Sequence, residues 1–143
     1  MKFFEIKEFV YYALIRGGWA PILVFVFHVI ASKGFDAYEH FPLLDVPMHF
    51  IGGLAICYFF AICTKAPHTS LLLGQHTKFS LFVMLVALTG TTTVVWEFAE
   101  WISDQYFSQN AQLGVSDTML DMFLGLLGGV IVAFIFAIKH KTN

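Results

Sequence analysis

Thr92-Thr93-Val94-Val95-Trp96-Glu97-Phe98-Ala99-Glu100-Trp101-Ile102-Ser103-Asp104 closes a long apolar run that begins near Phe79. The run has the length of a membrane span, for which about 20 apolar residues suffice, yet it ends in three acids. Glu97, Glu100 and Asp104 stand three and four residues apart, so a helix places them on one face, and Thr93 and Gly90 continue that face inward. Carboxylates in or beside a span are costly and as a rule face the protein interior or a water-filled cavity. The rest of the chain has to supply what this stripe faces.

The 143 residues suffice for one domain. An apolar fraction of 58% and a charged fraction of 13%, with 17 Phe, depart from the roughly 45–50% apolar and about 25% charged of soluble domains. The mean hydropathy of +0.74 agrees. The expected class is all-α, a polytopic membrane protein with four transmembrane helices in a compact bundle. Its one membrane domain, 1–143, has spans at about 10–32, 45–63, 79–103 and 117–138. Residues 1–16 alternate charged and aromatic side chains and read as an interfacial segment leading into the first span. Val29-Ile30-Ala31 resembles a signal-peptidase site, but the apolar stretch reaches back through Val10–Ile15, so an uncleaved span is the preferred reading. Cys57 and Cys63, six residues apart on one helix, are separated by roughly 9 Å along the axis, beyond disulfide reach.

Orientation follows from the basic residues. With the N-terminus inside, Lys2, Lys7, Arg16, Lys65, Lys78, Lys139 and Lys141 are cytoplasmic and only Lys33 is outside. Both termini are therefore expected in the cytoplasm. On this topology Asp45 and His49 open the second span at its outer end, Asp117 and Asp121 open the fourth, and Glu97, Glu100 and Asp104 close the third. Six carboxylates and one imidazole then meet at one depth. Below each group the same face turns small: Gly52 and Gly53, Thr93 and Gly90, and Gly125, Gly128 and Gly129. Small residues allow close helix approach, so these polar ends should converge; a Gly125-x-x-x-Gly129 dimer face is the alternative.

Like charges this close oppose one another's ionisation, which shared protons, open water or a bound cation would relieve. Hard oxygens with one imidazole suit Mg²⁺, Mn²⁺, Ca²⁺ or Zn²⁺. The expected metal ligands are Asp45, His49, Glu97, Glu100, Asp104, Asp117 and Asp121, with Glu97, Glu100, Asp121 and His49 central and the others at the rim. Simpler readings stand beside this one. Asp45 and Asp117 sit where helix N-caps sit, and Thr118-x-x-Asp121 matches a capping box. His49 and His28 each read as hydrogen-bonded interior histidines. Glu97 and Glu100 escape such readings, because anions at a helix C-terminus oppose the dipole and need compensation. Trp96, Trp101 and Tyr106 read as interfacial anchors.

Asp45-Val-Pro-Met-His-Phe-Ile-Gly-Gly53, Trp96-Glu-Phe-Ala-Glu100 with Asp104, and Asp117-Thr-Met-Leu-Asp121 followed by Gly128-Gly129 resemble the motifs of the YjdF-like bacterial inner-membrane proteins. These are more distantly similar to the VanZ-like family, named for a member tied to glycopeptide resistance. The likeness covers about residues 45–129. VanZ-like proteins tend to carry Glu-x-x-Gln and an Arg before the third motif, where this chain has Glu97-x-x-Glu100 and no Arg. The resemblance implies a multi-pass protein of the bacterial inner membrane.

Three functional versions follow from the residues. The acids hold a divalent cation for a reaction on a lipid or cell-envelope substrate; they serve cation- or proton-coupled transport; or they only brace the bundle or a partner. No Ser, Cys or Lys nucleophile stands beside the acids, and the metalloprotease motif His-Glu-x-x-His is absent. The lipid bilayer is the expected partner, with a homo-oligomer open. No organic cofactor and no nucleic-acid partner are expected.

Overall fold

The computed structural model describes residues 3–107, 109 and 111–141. Lys2 of the basic count, and Ser108 and Asn110 of the loop after the third span, lie outside the described residues. The described chain is helical, with four helices long and apolar enough to cross a membrane. These are α1 (Phe3–Gly34), α3 (Asp45–Cys63), α5 (Lys78–Phe107) and α6 (Val115–Lys139). Two short helices, α2 (Ala37–His40) and α4 (Thr69–Leu73), lie in the connections.

α1 runs unbroken through the expected interfacial segment. Pro21 inside it cannot donate its backbone N–H and its ring crowds the carbonyl four residues back. The helix accommodates this with a wider π-type turn at Leu14–Gly18. The Arg16 carbonyl accepts side-chain bonds from Trp19 Nε1 at 3.1 Å and Tyr58 Oη at 3.4 Å. A second such turn, Ile30–Gly34, ends the helix, and Asp36 turns the chain in a left-handed conformation that Asp tolerates better than most residues. A 3₁₀ turn at Pro42–Leu44 then feeds straight into α3.

The spans pack three and one. α3, α5 and α6 form the tight part, with α6 central, and α1 leans on α3. The α3–α6 crossing depends on absent side chains. A Cβ added at Gly53 would lie 1.9 Å from Gly125 O, and one added at Gly128 would lie 2.4 Å from Phe50 O. On the other side of α6, Thr93 and Thr89 of α5 occupy the space over Gly125 and Gly129. The glycine stripe is therefore filled internally, which settles the open choice against a dimer face at Gly125 and Gly129. Thr89, Thr91, Thr92 and Thr93 return their hydroxyls to carbonyls of their own helix, satisfying them without water. Toward the other end the three helices close on Cys57, Ala61, Leu81, Leu85 and Ala133. Cys57 and Cys63 are free thiols.

α5 has 30 residues, about 45 Å at 1.5 Å per residue, against a hydrocarbon layer of about 30 Å. Glu97 to Asp104 lie on its later turns.

Candidate metal centre

Register on the three packed helices brings the site together. Along α5 the face reads Thr89, Thr93, Glu97, and along α6 it reads Gly129, Gly125, Asp121. The two threonines sit over the two glycines, and the next step of the same register sets Glu97 and Asp121 on facing sides of His49. On α3, one turn separates Gly53 from His49 and another separates His49 from Asp45. Close backbone approach at the glycines is what lets short Asp and His side chains meet above them.

His49 is the hub. Its Nε2 lies 3.3 Å from Asp45 Oδ1 and 3.8 Å from Asp121 Oδ1, and its Nδ1 lies 3.9 Å from Glu97 Oε1. Two groups can each offer donor atoms within 4.8 Å of one another, Asp45–His49–Asp121 and His49–Glu97–Glu100. Glu97 is 4% exposed and Asp121 3%. Among the described residues, Glu97 Oε1 and Asp121 Oδ1 are fully enclosed and have no hydrogen-bond donor. Glu97 Oε2 accepts from Gln112 Nε2 at 3.2 Å, and Glu100 Oε1 accepts from Trp96 Nε1 at 2.8 Å. The orphaned oxygens therefore point inward, at the imidazole.

The seven expected ligands divide. Asp45, His49, Glu97, Glu100 and Asp121 converge, and Asp45, expected at the rim, touches His49 directly. Asp104 and Asp117 are committed elsewhere. The two oxygens of Asp104 accept the backbone N–H groups of Ala111 and Gln112, each at 2.9 Å. Asp117 Oδ2 accepts Leu113 N–H at 3.1 Å. These two acids hold the loop over the site, and Gln112 carries that loop to Glu97.

The capping readings do not hold. Asp45 has helical dihedrals and continues a preceding 3₁₀ turn, with Leu44 at the cap position. α6 starts at Val115 with Gly114 as its cap, so Asp117 and Thr118 are already inside the helix. Gly114 has φ 134° and ψ 178°, a region essentially closed to other residues. His28 is hydrogen-bonded, its Nδ1 lying 2.8 Å from Tyr38 Oη. Trp96, expected as an interfacial anchor, instead stacks edge-on against Phe25 and His28 while donating to Glu100.

Gln112, Tyr38 and Trp96 were not legible as site neighbours in the sequence. Tyr38 and Gln112 stand in loops, where no periodicity points them anywhere. The Tyr38 hydroxyl is pushed up to about 12, by burial first and then by the negative charge of Asp45 and Glu100. Lys33 Nζ donates to Gln109 Oε1, tying the end of α1 to the same loop.

The family described as "Predicted membrane protein (DUF2238)" matches residues 3–142, a range that includes the whole site. The chain belongs to that family. A relative by alignment, an "Uncharacterized protein" of Thermotoga maritima, is 32% identical over 119 residues. The alignment covers 81% of this chain and 58% of the relative, so this DUF2238 chain spans little more than half of that protein's length. No solved structure matches.

Proposed function

We propose that this protein binds a divalent cation among Asp45, His49, Glu97, Glu100 and Asp121. The site would face outward from a bacterial plasma membrane, with both chain termini in the cytoplasm. The observation that carries the reading is the pair of enclosed oxygens, Glu97 Oε1 and Asp121 Oδ1, without a donor among the described residues and on opposite edges of one imidazole. A buried carboxylate oxygen without a donor is costly, and four acids at this range repel. One cation answers both deficits.

His49 supports the same reading through its two faces. A metal-bound histidine usually donates its other ring N–H to a carboxylate or carbonyl, which fixes tautomer and orientation. Asp45 and Asp121 would hold such an ion on the Nε2 side of His49, and Glu97 and Glu100 on its Nδ1 side. Glu100, held by Trp96, and the Gln112 amide complete the surround. Oxygen-rich donors with one nitrogen fit Mg²⁺, Mn²⁺, Ca²⁺ or Zn²⁺. Such an ion, when bound, polarises a phosphoryl or carbonyl oxygen, which suits a lipid or envelope substrate at the outer leaflet. The motif likeness to YjdF-like proteins supports the plasma-membrane placement. The VanZ likeness adds little, given the absent Arg.

Transport is the weaker reading. A path would have to continue inward, where α3, α5 and α6 close on the apolar cluster around Leu81 and Leu85.

The test is Mn²⁺ uptake by chelator-stripped protein, followed by the paramagnetic resonance of free Mn²⁺. Stoichiometric uptake is expected, weakened in Glu97→Gln and Asp121→Asn. Absence of uptake, together with no rise in melting temperature on adding Mg²⁺, Ca²⁺ or Zn²⁺, overturns the proposal. Driven cation or proton flux in proteoliposomes would transfer it to the transport reading.

A further inference from the structure

Beside the acids the bundle holds a cavity that ion binding leaves unused. α1 leans on α3 and reaches α5 through Phe25 and His28, both edge-on to Trp96. Beside these rings α1, α3 and α5 border a half-open cleft of about 230 Å³. Val24, Phe25 and Ile56 supply apolar wall, and His49 stands at the polar end. The other polar groups around it are spoken for: Thr92 and Thr93 bond their own helix, Trp96 bonds Glu100, and His28 bonds Tyr38. From His49 to Ile56 the cavity runs roughly 10 Å along α3, at 1.5 Å per residue.

Gly52 keeps this space open. A Cβ built there meets nothing within 4 Å, whereas the neighbouring Gly53 has no room for one. The two adjacent glycines thus differ in kind: Gly53 serves helix packing and Gly52 faces the void. The cleft is open along one side and its wall is mostly apolar, so it suits hydrocarbon. It lies between membrane-spanning helices, where the hydrocarbon at hand is lipid chain.

We infer that the cavity seats one acyl chain of a membrane phospholipid, with the lipid phosphate meeting the cation at His49. The headgroup half of the inference rests on the proposed ion site; the chain half rests on the cavity alone. Charge settles the coupling between them. A phosphate approaching Asp45, Glu97, Glu100 and Asp121 is repelled, and a divalent cation between them turns repulsion into attraction. Chain and ion together therefore select an amphiphile over either free phosphate or a fatty chain.

The experiment places the protein in phosphatidylcholine vesicles doped with a phosphatidylglycerol carrying a diazirine in its acyl chain. Adducts are mapped after irradiation in Mn²⁺ and in chelator. Adducts should concentrate on Val24 and Ile56 in Mn²⁺. Gly52→Leu puts a side chain where a Cβ meets nothing within 4 Å, and Leu favours the helix over Gly. It should cut those adducts about tenfold, the ratio a modest loss of binding produces, while Mn²⁺ uptake in lipid-free detergent is unchanged. Gly52→Ala should label nearly as wild type. Asp121→Asn, or chelator, should lower the adducts without moving them. Labelling spread over lipid-facing residues such as Ile22 and Phe134, indifferent to Gly52→Leu, overturns the acyl seat. Labelling that needs Gly52 but ignores chelator overturns the ion-held phosphate, and Mn²⁺ uptake in the same samples then shows whether the ion site itself has failed.

Discussion

At the residue scale the central acids and the outlying acids should respond to substitution in opposite ways. Asp121 faces His49 with an unpartnered buried oxygen, so Asp121→Asn removes repulsion when no cation is present and removes a ligand when one is. Its melting temperature should exceed wild type in chelator, by roughly 4 °C for each kcal/mol of repulsion relieved, and fall below wild type in saturating Mn²⁺. A variant less stable than wild type under both conditions would mean that Asp121 is a structural brace. Asp104→Ala should behave differently again. It strips acceptors from Ala111 and Gln112, at a cost of about 1 kcal/mol per bond, speeding hydrogen exchange at those amides with Mn²⁺ uptake retained. Tyr38 reports the charge of the site from outside the spans. Burial, Asp45 and Glu100 all push its hydroxyl up, to about 12 from the ordinary 10.0, so the fold holds that proton more tightly than the unfolded chain. Stability from this source is full below pH 10.0 and lost as pH rises to about 12. Glu100→Gln removes one raising charge and should lower the phenolate midpoint, read by absorbance against Tyr38→Phe.

At the element scale the decisive contact is α3 on α6. Gly53→Ala drives a methyl into the Gly125 carbonyl, a backbone group that can yield only by parting the helices. Overpacking of this kind costs about 1–3 kcal/mol, and separation also widens the site built one turn away. Gly53→Ala should lower both the melting temperature and Mn²⁺ affinity, whereas Gly52→Ala should leave both near wild type. Equal behaviour of the two variants would contradict the packing described. The i,i+4 spacing of Asp45 and His49, and of Asp117 and Asp121, was legible as helical pairing. That one acid of the second pair faces the site while the other holds Leu113 was not. The helix starts two residues before Asp117, and only Gly114's left-handed turn, with φ 134°, fixes where that start falls.

At the scale of the whole molecule, the four long helices and the placement of basic residues predict a sidedness. A cysteine at Val115, an exposed position at the acidic end, should react with impermeant maleimide from outside intact cells. One at Thr77 should react only after the membrane is opened. The native thiols Cys57 and Cys63 are buried and should contribute little background. Reversed labelling would turn the site to the cytoplasm and remove the outer leaflet as its source of substrate.

The number of long apolar helices could be read from the chain alone, because hydropathy and length are local properties that no neighbour alters. The chain also put carboxylates at the ends of three helices, through spacing alone. Which of them meet depends on how the helices pack. Asp45, His49, Glu97, Glu100 and Asp121 converge because Gly53, Gly125 and Gly128 let α3 and α6 close to backbone contact, while Asp104 and Asp117 take loop amides that no periodicity announces. The cavity beside them was likewise beyond the sequence. Two adjacent glycines read alike in a chain, and only packing gives one of them a neighbour and the other a void.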